Sequence, residues 1–477
     1  MAALNALDRH LALVGFMGAG KSTLGPVVAA RLGRRFVCLD RVVEERVGST
    51  IEEIFATRGE AEFRELEEGA AADVLAGADP VVLELGGGAV GSGATRDSLG
   101  QRAFSVLLDV DVDEAWRRVE GTARPLAADP DRFRALHAER GPLYAQVADA
   151  RASDEDGVVL AAAGVDVEPG AIEHLRERVP GSEPVELVSD RNVASLYGER
   201  VRRTLGDRLL EAHDVPQGER AKAAAVLEQL WRELRGERRG TIVALGGGTT
   251  TDVAGLAAAT YLRGVPWVPV PTTLVGQVDA AIGGKTAIDV PAGKNLVGAF
   301  HWPARVVIDP GLLETLPEQE RRNGLAEVVK TGLLCGAPLW ELPEPEQVRR
   351  CAAFKSGVCV HDPHDRGDRN QLNLGHTFAH ALETAAGYEL GHGEAVALGL
   401  LAALRLSGQD TSVVEETLAP APVRVDRDAA WAALARDKKT EHGTPRLVLL
   451  AAPGRPRVGV ELPAAEVRAA LDELIAD

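Results

Sequence analysis

Short apolar runs closed by glycine alternate with longer stretches in which apolar and polar residues mix at helical spacing. Leu11-Ala-Leu-Val14 reads as a short buried strand, and a helical run follows the glycine-rich segment behind it. Leu39-Asp40 ends a second strand, Gly59 to Glu67 forms a polar helix, and Leu83-Glu-Leu85 leads to the triple glycine Gly86 to Gly88 at a strand end. Gly170 to Arg178 reads as a closing helix for this half. Val179-Pro-Gly-Ser-Glu-Pro184 has the turn chemistry of a linker. Beyond it, Pro184 to Ser189 is a strand, Asp190 to Tyr197 opens a helix and Gly218 to Lys222 begins another. Thr241 to Leu245 is a buried strand ending in Gly246-Gly-Gly248, with Asp252 in the first turn of an alanine-rich helix. Near the end, Ala326 to Lys330 is helical, and His376 and His380 stack on one helical face one turn apart.

Composition narrows this picture. A chain of 477 residues holds two or three domains, and 45% hydrophobic with 26% charged residues is ordinary for a soluble protein with large cores. Aromatics are only 4% while Ala, Val, Leu and Gly dominate, which suits α/β layers. The net charge of −18 argues against nucleic-acid or anionic-membrane surfaces, although local cations still capture small anions. Four cysteines without a CxxC pair, no signal-like start and no apolar run near the ~20 residues of a membrane span point to the cytoplasm.

The first chemistry lies in Gly15-Phe-Met-Gly-Ala-Gly-Lys-Ser22, a full match to GxxxxGK[ST] between a strand and a helix. Gly15, Gly18, Ala19, Gly20 and Thr23 offer backbone N–H groups, Lys21 reaches the β/γ oxygens of ATP, and Ser22 is a Mg²⁺ ligand. With Asp40, Arg64, the triple glycine, Arg124-Pro-Leu126 and Arg140-Gly-Pro-Leu-Tyr144, residues 1–178 resemble shikimate kinase. The resemblance implies a P-loop kinase fold with a parallel sheet. It makes Asp40 the base at the shikimate hydroxyl, Arg64 and Arg140 the carboxylate clamp, Gly86, Gly87 and Gly88 the close approach to the ring, and Arg124 a lid residue over ATP. The family carries Asp-x-Asp where this chain reads Cys38-Leu-Asp40. A neutral thiol suits hard Mg²⁺ poorly, so weakened Mg²⁺ use is expected.

The second chemistry is a carboxylate and imidazoles. Glu327, His376 and His392 form the minimal set for a catalytic zinc with an open position. Arg263, Thr272, Thr273, Asp279, Lys285, Lys294 and Asn295 crowd cations, glycines and a carboxylate into one short stretch that reads as a polyanion pocket. Together these residues resemble 3-dehydroquinate synthase over about residues 184–460. The resemblance implies a Rossmann-like α/β NAD domain (185–310) after a linker (179–184), then a mostly helical metal and substrate domain (311–477). Glu327, His376 and His392 then bind Zn²⁺ or Co²⁺. Asp190, Asn192, Glu219, Lys222, Gly247, Gly248, Asp252, Thr272, Thr273, Lys285 and Lys294 contact NAD. Arg263, Asp279, Lys285, Lys294, Asn295, Lys330, Lys355, Arg369, Asn373 and His380 line the substrate, with Lys438 or Lys439 reaching in. Asp289 and Asp365 stand where Asn and Glu are common and are given no role.

The expectation is therefore a bifunctional enzyme of aromatic amino acid (chorismate) biosynthesis. One half phosphorylates shikimate from ATP and Mg²⁺; the other converts 3-deoxy-D-arabino-heptulosonate 7-phosphate to 3-dehydroquinate. Its expected partners are small molecules and a second copy of itself, as a homodimer through the synthase half. The alternatives are a regulatory kinase-like half, supported by Cys38, and a metal-dependent NAD alcohol dehydrogenase, which the paired lysines disfavour.

Overall fold

The computed structural model describes residues 5–120, 129–436 and 445–476. Arg124, Lys438 and Lys439 fall outside them. The chain divides into two compact units, Met1–Val165 and Asp166–Asp477.

The first unit is built on a five-stranded sheet of β1 (His10–Val14), β2 (Phe36–Cys38), β3 (Val82–Glu84), β4 (Ala103–Leu108) and β5 (Ala150–Ala152), in the order β2-β3-β1-β4-β5. Every pairing is parallel, as the crossover helices between strands require. β1 is central and wholly buried, which explains its uninterrupted apolar sequence. The chain leaves β1 through the glycine loop into the helix Lys21–Arg31. Gly18 has φ +82°, and a Cβ there would lie 2.6 Å from the Ala115 carbonyl, so only glycine fits. Two local expectations change. The second strand stops at Cys38, which caps the helix Leu39–Val47, so Asp40 lies in a first helical turn and not at a strand end. The polar helix around Arg64 is part of a long helical run, Ile51–Leu75, broken at Gly59 (φ 83°, ψ 171°).

The second unit holds a parallel sheet ordered Trp267–Pro271, Thr241–Gly246, Val185–Asp190, Leu209–Val215. Alternate residues of one strand feed two cores: Ile242 and Ala244 pack with the helix Gly248–Thr260, while Val243 and Leu245 face the opposite layer. Burial on both faces again accounts for the apolar run. Lys285–Val290 and Gly293–Phe300 form an antiparallel ribbon. From Glu318 onward the unit is mostly helical, with a hairpin at Leu447–Ala452 and Arg455–Val460. Its core is gathered around the helices Glu318–Cys335, His376–Ala385 and His392–Leu406.

The domain boundary differs from the expected one. Residues 170–178 do not close the first half. Ala171, Ile172 and Leu175 are buried with Val185, Leu187 and Val243 of the second unit, and Asp309 accepts hydrogen bonds from the Gly170 and Ile172 amides at 2.9 and 3.3 Å. The expected division at 310/311 does not appear as a boundary between compact units.

Candidate active sites

In the first unit the glycine loop wraps a buried lysine. Lys21 Nζ donates to the Gly15 and Phe16 carbonyls at 2.7 and 3.0 Å, and Thr23 N–H donates to the Gly20 carbonyl at 3.1 Å. Ser22 Oγ donates to Glu84 Oε1 at 2.5 Å. A serine hydroxyl with an adjoining carboxylate is a donor set that fits Mg²⁺. Burial pushes the neighbouring Cys38 thiol up to about 11, and the Glu84 and Asp40 carboxylates add to the rise against the Arg41 amide. The thiol is therefore neutral at physiological pH.

The triple glycine is the floor of the second half of this site. A Cβ on Gly86 would lie 2.9 Å from Asp40 Oδ1 and would collide with Glu67, and one on Gly88 would collide with the Arg64 guanidinium. Arg140 Nη1 and the Tyr144 hydroxyl both donate to the Gly87 carbonyl, at 2.9 and 2.5 Å. Arg64 Nη1 donates to Glu67 Oε2 at 2.6 Å. Burial raises the Glu67 carboxyl above its ordinary range, with Arg64 opposing. The fold thus brings Asp40, Arg64, Gly86, Gly87, Gly88 and Arg140 together. Glu67, Tyr144 and Glu84 join them without having been singled out in the sequence. The i,i+3 spacing of Arg64 and Glu67 was the available signal for one of them.

In the second unit, one ligand atom each from Glu327, His376 and His392 lies within 4.8 Å of the others. Glu327 is fully buried, and neither of its carboxylate oxygens accepts a well-formed hydrogen bond. What faces them is Lys330 Nζ, one turn along the helix, with His376 Nε2 at 3.5 Å and His392 Nε2 at 3.3 Å. Burial would raise the Glu327 carboxyl, but Lys330 and the two imidazoles hold it well below its ordinary value. His376 Nδ1 sits 3.2 Å from the Leu374 carbonyl, and His392 Nδ1 sits 3.4 Å from Glu383 Oε1. Such outer partners orient imidazoles with Nε2 inward. Two nitrogens and a buried, ionised carboxylate fit a divalent transition metal. Glu383 was missed because no local pattern marks it. The His380 ring lies 5.5 Å from that of His376.

Cations surround this cluster in pairs. Asp279 faces Lys355 Nζ at 2.7 Å and Lys330 Nζ at 3.9 Å. Lys285 pairs with Asp365 at 2.5 Å. Lys294 pairs with Glu219 at 3.4 Å and sits 4.6 Å from the Tyr388 ring centroid. Lys222 meets Asp252 at 2.8 Å and also donates to Asn295 Oδ1. Burial lifts Asp252 to about 6 against the pull of Lys222. Asn295 has φ +56°, and its N–H donates to Asp289 Oδ1 at 2.8 Å, so both unassigned aspartates hold site residues in place. Arg369 is buried, with its guanidinium carbon 6.0 Å from the Phe300 ring centroid, and Asn373 Nδ2 donates to the Asn370 carbonyl at 3.1 Å.

At the parallel sheet, Asp190 caps the helix that follows it by accepting from the Asn192 and Val193 amides, both at 3.0 Å. Gly247 caps the helix Gly248–Thr260. Thr272 N–H donates to the Gly246 carbonyl at 3.0 Å, and a Cβ on Gly247 would lie 3.0 Å from Thr273 Cγ2. Strand end, glycine turn and helix N-terminus are thereby assembled as a phosphate cradle requires. Arg263 stands apart: its side chain is exposed, its φ is +66°, and it makes no ion pair or hydrogen bond among the described residues.

The family models match in three segments: residues 17–163 to shikimate kinase, 212–323 to the N-terminal and 324–440 to the C-terminal part of 3-dehydroquinate synthase. The 3-dehydroquinate synthase of Gloeobacter violaceus is 42% identical over 347 residues, spanning 65% of this chain and 95% of the relative. That of Bordetella pertussis is 40% identical over 350 residues, with the same coverage. Among solved structures, the 2-epi-5-epi-valiolone synthase of Streptomyces hygroscopicus subsp. jinggangensis 5008, with NAD+ and Zn²⁺ bound, is similar at 29% identity and TM-score 0.57, over 65% of this chain and 96% of that one. No helix among the described residues is long and apolar enough to cross a membrane. The second unit belongs to the 3-dehydroquinate synthase family and the first is a shikimate kinase domain, so the chain is a bifunctional shikimate-pathway enzyme, a phosphotransferase fused to a lyase.

Proposed function

We propose that the first unit transfers the γ-phosphoryl group of ATP to the 3-hydroxyl of shikimate. On the same reading, the second unit converts 3-deoxy-D-arabino-heptulosonate 7-phosphate to 3-dehydroquinate and phosphate. The observation that carries the synthase reading is the convergence of Glu327, His376 and His392 beside Lys330, in a site ringed by paired lysines. For the kinase it is the convergence of Asp40, Arg64 and Arg140 on the triple glycine.

In the kinase, Arg64 and Arg140 hold the shikimate carboxylate, since a planar guanidinium fork suits it. Asp40 accepts the hydroxyl proton as the phosphoryl group moves. Lys21 exchanges its two carbonyl partners for phosphate oxygens, and Ser22 offers its hydroxyl to Mg²⁺.

In the synthase, Glu327, His376 and His392 would hold Zn²⁺ or Co²⁺, and NAD would lie along Asp190, Asn192, Glu219, Lys222, Gly247, Gly248, Asp252, Thr272 and Thr273. When bound, the cation supplies a Lewis acid for the substrate hydroxyl and the nicotinamide takes up and later returns a hydride. Lys285, Lys294, Lys355 and Arg369 bind phosphate and carboxylate. Asn295 and His380 orient hydroxyls and protons, while Lys330 and Asp279 hold the charge balance beside Glu327. A homodimer through this unit and a reducing, cytoplasmic setting, which suits four free cysteines, complete the proposal.

The test is to assay the purified chain for shikimate-dependent ADP release and for phosphate release from the heptulosonate phosphate, before and after chelation. Phosphate release that survives removal of both metal and NAD would overturn the synthase reading. Absence of shikimate-dependent ADP release at high Mg²⁺ would overturn the kinase reading in favour of a regulatory unit.

A further inference from the structure

The carboxylate absent from position 38 reappears on the next strand. Cys38 and Glu84 are register partners in the parallel pair β2 and β3, and Glu84 is in turn the register partner of Leu13 on β1. Paired residues project to the same face. A side chain at 84 therefore sits one strand nearer the glycine loop than one at 38, about 4.8 Å closer. Glu84 is 7% exposed. Its Oε1 accepts the Ser22 hydroxyl at 2.5 Å, and its Oε2 is buried without a hydrogen-bond partner. No Lys, Arg or His among the described residues forms an ion pair with it. The Cys38 thiol is also hydrogen-bonded to it. A buried carboxylate met only by a neutral hydroxyl and a neutral thiol is costly to hold unless a cation arrives to complete it.

We propose that Glu84 takes over the metal-anchoring role vacated at position 38: it holds Ser22 and the hydration shell of Mg²⁺ bound with the nucleotide. This rests on the kinase reading for the identity of the nucleotide. A carboxylate at the end of the strand beside the loop strand is one of the places from which P-loop enzymes hold Mg²⁺. Ser22 keeps its proton on Glu84 and leaves an oxygen lone pair for the ion. Oε2 is left to accept from a metal-bound water. Cys38 fills the space of the lost aspartate as a neutral side chain, so no second carboxylate crowds Glu84. The weak Mg²⁺ use expected from Cys38 alone is offset by this exchange of positions.

The test uses the full chain saturated with NAD, and calorimetric titration of ADP with Mg²⁺ or with EDTA, without shikimate. Glu84→Gln, which keeps shape and hydrogen bonding, and Glu84→Ala should each raise the Mg²⁺ concentration needed to tighten ADP by roughly 10- to 100-fold, the usual scale for outer metal partners. ADP affinity in EDTA should stay that of wild type. Cys38→Asp should recover metal tightening in the Glu84→Ala background. An unchanged Mg²⁺ requirement in both Glu84 variants overturns the proposal. So does an equal loss of ADP affinity with and without Mg²⁺, which would make Glu84 a structural strut. Because shikimate is absent from these titrations, failure of the acceptor assignment shows separately, as ADP release that shikimate does not stimulate.

Discussion

Lys355 grips Asp279 at two places: its Nζ lies 2.7 Å from the carboxylate Oδ1 and donates at 2.7 Å to the same residue's backbone carbonyl. Burial alone would raise Asp279, but Lys355 and Lys330 hold it below the ordinary carboxylate range. Lys355→Met should therefore leave a half-buried carboxylate facing only Lys330 at 3.9 Å. The expected cost is about 2–3 kcal/mol of second-unit stability, below the roughly 3–5 kcal/mol for breaking a fully buried pair, because Asp279 is only half-buried and Lys330 remains. Synthase turnover should fall while shikimate phosphorylation holds. Denaturant unfolding followed in the second unit, beside both assays, checks this.

His376→Ala should abolish phosphate release and remove the metal site, leaving ADP binding at Lys21 unaltered, since the two sites lie on separate compact units. Metal content by elemental analysis and ADP titration read the two arms independently. Metal bound as tightly as in wild type would contradict the assignment.

Arg64→Ala should raise the shikimate KM by roughly 10- to 100-fold, the scale of losing a charged hydrogen-bonding partner, with the ATP KM little changed. It also strands Glu67, whose Oε2 loses its donor at 2.6 Å. The double variant Arg64→Ala with Glu67→Gln should recover stability without recovering shikimate affinity. Thermal unfolding and steady-state kinetics separate those effects.

His213 and Glu186 are buried in the second unit's sheet with Nε2 2.5 Å from Oε2. Desolvation lowers His213, but Glu186 outweighs it and the net shift is upward; Glu186 itself is lowered despite its burial. The histidine's contribution is fully present below its unfolded value of about 6.5 and is lost as pH rises through its elevated folded value. The glutamate's contribution is present above about 4.3 and lost as pH falls through its depressed folded value. Stability of this sheet should thus be greatest between those limits and decline on the alkaline side. Hydrogen exchange of the strand Leu209–Val215 across pH should show that decline, and Glu186→Gln should flatten it.

Much of both sites was legible because it is local. The glycine loop, the triple glycine and the His376/His380 pair are each written within one loop or helical turn, where residue spacing determines placement. Glu84, Glu67 and Glu383 were not legible in the same way. Glu84 reaches Ser22 through strand register, and Glu383 reaches His392 through the packing of two helices, neither of which a one-dimensional pattern encodes. Asp40 was expected at a strand end, but the apolar Leu39 before it is the first buried residue of a helix. Conversely, Arg263 has the composition of a site residue, yet no described residue pairs with it.

The placement of residues 166–178 bears on how the two enzymes could be taken apart. The proline- and glycine-rich stretch at 179–184 invites a cut, but a synthase gene starting there would lack the segment that carries Ala171, Ile172 and Leu175 into its core. It would also deprive Arg305 of its ion pair with Asp166 at 2.9 Å. Expressed from residue 166, the lyase would keep its hydrophobic complement; expressed from residue 184, it would be born with a hole in one layer of its sheet. The visible punctuation of the polypeptide and the seam along which it can be divided are different places.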